Sequence, residues 1–411
     1  MQGGLPDVWE TNQGSTIQVY GDNVTIDGLT VRGIDCSEAY GEPSGNKAVT
    51  IFGAYNFTFK NSTILPAENG EGGSLLFDSD MSGKTALVEN TKILGALITR
   101  YMNHDDATDI ILRNVEIDPT QYENYSAAFS TTNDKTQKSF KDVVTVDGEL
   151  KLHIYDSEAN MQDIFNAIPD GSTVLLHGDI KGPVVNGDPY YTNALKIGSK
   201  ITLTCEAGAT LSGIVELNAP MTLDHVNYSY TGLNTTYGNI WIGSQDVVIQ
   251  NSVLFAEYDM EHSVAPNSDR DRSGEFGFIR PQDHNLQLLN NTIQTNAMGI
   301  FGGGLPGAVI KGNVFKNLDG YTSRTVWLNW AAMDNLTIEG NIIYNRHMVL
   351  GGSATITGNK FLELGANGTS GHAFYFWSAF TGTISGNEYS QVDPTQPLAT
   401  GKDGVPIPDI D

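Results

Sequence analysis

The chain is poor in arginine, in cysteine and in long apolar runs. Only 8 of its 411 residues are Arg and only two are Cys, Cys36 and Cys205. Lys plus Arg total 23 against 48 Asp plus Glu, a formal net charge of −25. A field of that sign repels the phosphate backbone of nucleic acid and disfavours an anionic membrane surface. No stretch approaches the roughly 18 consecutive apolar residues of a membrane span. Met1 to Pro6 shows no charged-then-apolar export signal, so any such signal is expected to have been removed or to lie outside this sequence. With 168 residues between them the two cysteines read as isolated thiols, and no Cys/His spacing suggests zinc. Charged residues make up 17% and hydrophobic ones 39%, enough apolar material for a sizeable core and too little charge for a disordered acidic chain.

What the chain has in excess is 45 Gly and 34 Asn. Both tolerate left-handed backbone conformations, so such a chain turns corners often. Many of them fall in one recurring pattern: apolar, any, Gly or Asn, a small or polar residue (usually Asn), any, apolar. Copies start at Ile26, Phe59, Val88, Leu112, Leu223, Ile249, Leu288, Ile310, Ile338, Ile356 and Ile384. Within each run of these eleven copies the starts lie 18 to 39 residues apart. Apolar alternation ahead of the corner, as at Val24 and Ile26 or Leu336 and Ile338, marks inward-facing strand positions at period two. The pattern therefore reads strand, sharp bend, strand. If each repeat is one coil, equivalent asparagines stack about 4.8 Å apart and their amides form a ladder. A coil cannot bury its inner face alone, so stacking is compulsory.

With this Asn-bearing corner and these coil lengths, the sequence resembles a right-handed parallel β-helix of the pectate-lyase-like superfamily. The resemblance covers nearly the whole chain and concerns architecture, because no specific enzyme family is matched. It implies an all-β solenoid. Leucine-rich repeats are excluded, since their regular Leu spacing is absent.

No copy occurs between Ile117 and Leu223. Residues 157–169 there predict a short helix, with Ser157 as its cap and Met161, Ile164, Phe165 and Ile168 on one face. In proteins of the resembled architecture such a helix plugs the open end of the core. Two β-helical units are therefore expected. Residues 1–145 would form a partial unit of about four motif-bearing coils, and residues 146–411 a second unit with a capping helix near 157–168. Asp22 to Gly28 mirrors Asp334 to Gly340, and Asp118 to Gln121 recurs as Asp393 to Gln396, echoes that fit a duplication. The first unit starts directly in coils, so the chain is expected to be a segment of a longer array with neighbouring β-helix units.

A polysaccharide lyase on such a scaffold needs acidic residues to hold Ca²⁺ against a uronate carboxylate, and an Arg or Lys to take a proton. A hydrolase needs two carboxylates. The longest insertion, residues 255–287, carries Asp269, Asp271 and Glu275 as candidate Ca²⁺ ligands. It also holds Arg280, Asp283 and His284, which with Arg324 are the candidate catalytic groups. A solvated, self-paired loop accounts for the same residues, and the spacing of a defined calcium loop is absent.

Five of the eight arginines lie between residues 270 and 346. Arg280, Arg324, Arg346 with His347, and His372 precede their motif copies by 8 to 14 residues, which in stacked coils brings them near one face. Flat rings stack on sugar faces, and a few cations in an acidic protein suit a carboxylated or sulfated glycan. Tyr321, Trp330, Arg346, His347, His372 and Trp377 are the candidates for glycan contact, accompanied by Trp327, Tyr344 and Tyr375. Half of these rings could equally fill the coil interior. A further cluster, His104, Asp105, Asp106 and Asp109 between Arg100 and Arg113, reads as ordinary turn acids. The elements that surround the Asp pairs of pectin-degrading hydrolases are missing around it, and the Trp-Ile-Asp-His element of pectate lyases is absent from the chain.

Two expectations of different class follow. The first is a secreted or cell-surface β-helix that binds glycans or a partner surface as an adhesin- or stalk-like segment, with no nucleic-acid partner, no membrane span and no required cofactor. The alternative is a secreted polysaccharide lyase or glycoside hydrolase acting on an acidic polysaccharide, with Ca²⁺ as its possible cofactor and a groove over residues 257–377.

Overall fold

The structure, a computed structural model, describes residues 15–410 apart from 35–46, 68–72, 79–82, 100–108, 120–127, 132–138, 157–160, 183–193, 233–237, 260–276, 283, 302–303, 319–323 and 328–333. Residues 130–131 and 324–327 are described as backbone only. The chain divides into two compact units. One comprises Met1–Gly178 with Ser199–Thr202, the other Asp179–Gly198 with Leu203–Asp411. The boundary expected near residue 145 falls inside the first of these.

The corner motif accounts for the backbone. The third residue of all eleven copies has positive φ, from 46° at Asn90 to 68° at Gly28 and Gly312. Glycine reaches that region without a Cβ penalty, and Asn and His are the side chains that enter it most readily. In the second unit the apolar residues on either side of each corner lie on different strands. Leu223, Ile249, Leu288, Ile310, Ile338, Ile356 and Ile384 stack in register as one column. Tyr228, Leu254, Ile293, Phe315, Ile343, Phe361 and Tyr389 stack as another.

Strand pairing in both units is parallel. In the first unit, Ser15–Val19, Lys47–Phe52, Ser74–Asp78, Leu97–Thr99 and Phe129–Thr131 form one sheet in that order. Thr25–Asp27, Phe57–Lys60, Thr85–Ile93 and Asp109–Ile117 form another, whose central column Ile26, Phe59, Val88, Leu112 and Val146 faces the core. In the second unit a nine-stranded sheet runs from Asp179–Lys181 to Glu388–Gln391. Parallel strands that each pair with a partner one repeat further along, in stacked sheets, are compatible with a β-helical solenoid.

The asparagine ladder forms, and it differs between the units. In the second unit the fourth motif residue carries it. Asn291, Asn313, Asn341 and Asn359 are buried, and each donates its side-chain amide to the next at 2.9–3.0 Å, ending on Asn387. The same side-chain amides also reach the carbonyls of Ile249, Leu288, Ile310 and Ile338. In the first unit the left-handed residue itself carries an exposed ladder, from Asn114 through Asn90 and Asn61 to Asp27, at 2.8–3.2 Å.

The stretch between residues 117 and 223 contains rungs without the motif. Val144–Val146 and Leu150–Tyr155 stack on Asp109–Ile117, and the corner between them is turned by Asp147 and Gly148, with Gly148 at φ 102°. The expected helix is present as Met161–Asn166, burying Met161 and Phe165, with Ile164 partly exposed and Ile168 buried just beyond its end. Its predicted cap, Ser157, lies outside the described residues. A second short helix, Phe140–Val143, seats Phe140 against Phe129 with ring centroids 4.9 Å apart.

Candidate ligand-binding face of the second unit

Period two separates the two faces of the strands that precede the corners. Ile240, Ile279, Ile300, Met348 and Phe374 point to the core and are buried. Their successors therefore occupy the opposite face as a second column, Trp241, Arg280, Phe301, Val349 and Tyr375, of which Trp241, Phe301 and Val349 are also buried. Trp327 holds the register position between Phe301 and Val349. Trp377 lies two residues beyond Tyr375, hence on the same face.

Two cations on this face are held against indole rings. The guanidinium carbon of Arg280 lies 4.4 Å from the Trp241 ring centroid. Trp241 is only 6% exposed, packs with Ala194 and Ile214, and donates its Nε1–H to the Gly238 carbonyl at 2.8 Å. The indole is thus a fixed platform beneath the guanidinium, whose Nη1 is itself buried. Lys402 repeats the arrangement, its Nζ 4.6 Å from the Trp377 centroid. A cation over an aromatic face is attracted by the ring quadrupole, which restrains a long side chain that would otherwise sample many rotamers.

Rings continue from Trp377. Its centroid is 6.3 Å from that of Tyr375, Tyr375 is 6.3 Å from His372, and His372 is 4.6 Å from His347. His347 Nδ1 faces Ser370 Oγ at 3.3 Å. Burial lowers the pKa of His372, so its imidazole is neutral near pH 7. Three of the six predicted glycan-contact residues, His347, His372 and Trp377, therefore share one neighbourhood.

Arg346 turns the other way. It is 1% exposed and donates to the carbonyls of Ala297, at 2.7 Å, and Thr295, and to Asn317 Oδ1 at 2.9 Å. Burial pushes its pKa down to about 9, which leaves it charged at neutral pH. Its environment is that of a structural tie between rungs. His284 sits at a corner, its Nδ1 2.8 Å from Gln245 Nε2. Arg324 pairs by backbone with His347, and its side chain lies outside the described residues. Tyr321, Trp330, Asp269, Asp271, Glu275 and Asp283 also lie outside them, as do His104, Asp105 and Asp106. Among the described residues no group of three or more His, Cys, Asp or Glu could hold a metal ion.

Sequence reasoning missed Trp241 and Lys402. Their signal was available only through register: each stacks beside a residue in the adjacent rung, Arg280 for Trp241 and Trp377 for Lys402. No protein family, curated protein or solved structure matches this chain. No helix among the described residues is long and apolar enough to cross a membrane.

Proposed function

We propose that the chain is a right-handed parallel β-helix of the pectate-lyase-like kind, with two such units in sequence, and that it binds acidic glycans at a cell surface or after secretion. The observation that carries this reading is the pairing of Arg280 with Trp241 and of Lys402 with Trp377 on one face. In a chain of net charge −25, Arg280 held over Trp241 and Lys402 held over partly exposed Trp377 are local exceptions to the field. Carboxylates or sulfates pair with the cations, and pyranose faces stack on the rings. Restrained side chains lose less entropy when a ligand arrives, so such a face gains affinity without large buried area.

The test is affinity electrophoresis and calorimetry of the full chain against polygalacturonate, alginate, a sulfated glucan and a neutral glucan. Retardation by the acidic polymers and not the neutral one is expected, with loss in Arg280→Gln and Lys402→Gln. Equal retardation by the neutral polymer, or none at all, would sink the reading. The same incubations, followed for unsaturated and reducing ends with and without Ca²⁺, address the enzymatic alternative. Chain cleavage abolished by Arg280→Gln would establish it.

A further inference from the structure

A different cluster lies on the outer face of the first unit, where the sequence alternates Lys151, His153 and Tyr155 on one strand and Glu116 with Asp118 at the end of its neighbour. Register sets Lys151 beside Glu116, and Tyr155 beside His177 of strand Ser172–His177. Three groups capable of positive charge converge on one carboxylate oxygen. Glu116 Oε1 is 3.3 Å from Lys92 Nζ, 3.7 Å from Lys151 Nζ and 3.2 Å from His153 Nε2.

The histidine is 5% exposed, and its Nε2 has no hydrogen-bond partner despite that proximity, because Glu116 lies off the line of its N–H. Its other nitrogen, Nδ1, is 2.9 Å from His177 Nε2 and 3.6 Å from Asp118 Oδ2. Tyr155 donates its hydroxyl to Asp118 Oδ1 at 2.8 Å and stacks on His177 at 4.2 Å, fixing both. Burial, the largest influence, lowers the pKa of His153; His177 and Lys151 add to this, and Asp118 and Glu116 oppose it. Burial alone would raise the pKa of Glu116, but Lys92, Lys151 and His153 outweigh it and hold the group ionised.

Beside this carboxylate is an open groove of about 290 Å³ lined by Asn90, Thr91, Lys92, Asn114, Val115, Glu116, Glu149 and Lys151, of which Asn90, Lys92, Asn114 and Glu149 are exposed. The charges in its wall cancel while His153 is neutral: Lys92 and Lys151 against Glu116 and Glu149. A proton on His153 leaves one positive charge in excess and gives Glu116 a nearer cation. That frees the lysine ammonium groups for another anion. We propose that this groove is a binding site for a single carboxylated sugar, opened by protonation of His153. The second side-chain N–H of Asn90 and of Asn114, each amide already donating once along the ladder, and the Glu149 carboxylate would meet sugar hydroxyls, and Lys92 with Lys151 would meet the carboxylate. The site is independent of the Arg280–Lys402 face and stands or falls apart from it.

Calorimetry with D-galacturonate, run on the full chain in an Arg280→Gln/Lys402→Gln background, tests the proposal. Affinity is expected to rise roughly tenfold between about pH 7.5 and about pH 5. Lys92→Gln and Lys151→Gln should each abolish binding, and His153→Gln should bind weakly and equally at both pH values. A pH-independent wild-type affinity, or a His153→Gln chain that keeps the acid enhancement, overturns it. If His153→Gln fails to fold, the histidine titration of the unsubstituted chain by NMR decides. Binding must raise the His153 midpoint, because linkage is reciprocal. An unmoved midpoint refutes the site.

Discussion

Asn341 Oδ1 accepts two hydrogen bonds from Asn313, one from its backbone amide at 2.9 Å and one from its side-chain amide at 3.0 Å. The side chain of Asn341 then donates onward to Asn359 and to the Ile310 carbonyl. One residue thus satisfies polar groups of three rungs inside a region with no access to water.

Removing it should be costly. Asn341→Ala leaves buried donors and an acceptor unpaired and is expected to destabilise the second unit by about 3 kcal/mol. Asn61→Gly interrupts the exposed ladder of the first unit, where water replaces the lost partner, and should cost under about 1 kcal/mol. Urea denaturation followed by circular dichroism compares the two. Equal losses would refute the distinction between buried and exposed ladders.

Corner glycines should divide by space as well as by angle. Gly358 has φ 64° with open surroundings, so Gly358→Asn is expected to fold with a change within about 1 kcal/mol. Gly213 has φ 85°, but a Cβ there would lie 3.0 Å from the backbone oxygen of Gly182 and 3.1 Å from its Cα, so Gly213→Asn should cost about 2 kcal/mol more. The difference in unfolding midpoint measures this.

Acid should weaken both units through their buried histidines. His153 and His372 have pKa values lowered from 6.5, chiefly by burial. Between the lowered value and 6.5 the unfolded chain binds more protons than the folded one, so stability rises with pH across that window. It is complete above about pH 6.5 and falls as the pH drops through the folded values. Unfolding midpoints at about pH 7.5 and about pH 5 should differ less in His153→Gln and His372→Gln than in the unsubstituted chain.

On the glycan-binding face, Trp377→Ala removes a stacking surface and the platform under Lys402 together. Affinity for an acidic polysaccharide is expected to fall roughly tenfold, with the unfolding midpoint little changed because Trp377 is partly exposed. Trp241→Ala should lower both, since that ring is buried against Ala194 and Ile214. Calorimetry and thermal unfolding of the same samples separate the effects.

The corners were legible residue by residue. All eleven copies of the motif turn where Gly, Asn or His stands third, because a left-handed φ is a property of the residue's own Cβ and needs no distant partner. The rungs between residues 117 and 223 carry no copy of the motif and were legible only in part. Asp147 and Gly148 turn a corner there without the rest of the pattern, and only pairing with Asp109–Ile117 identifies it. The site was legible only in part. His347, His372 and Trp377 do share a neighbourhood, while Arg346, similar by type and spacing, is drawn inward by three acceptors.

What the sequence determined by itself is therefore local: where the chain bends and which residues alternate inward. The tertiary structure alone decided which residues from different rungs meet. Trp241 reaches Arg280 across 39 positions and Glu116 meets His153 across 37, because the lengths of the intervening loops set the register. Those lengths vary from rung to rung and carry no periodic signal. Neighbours within a rung follow from dihedral preference, but neighbours between rungs follow from stacking, which a linear pattern does not record.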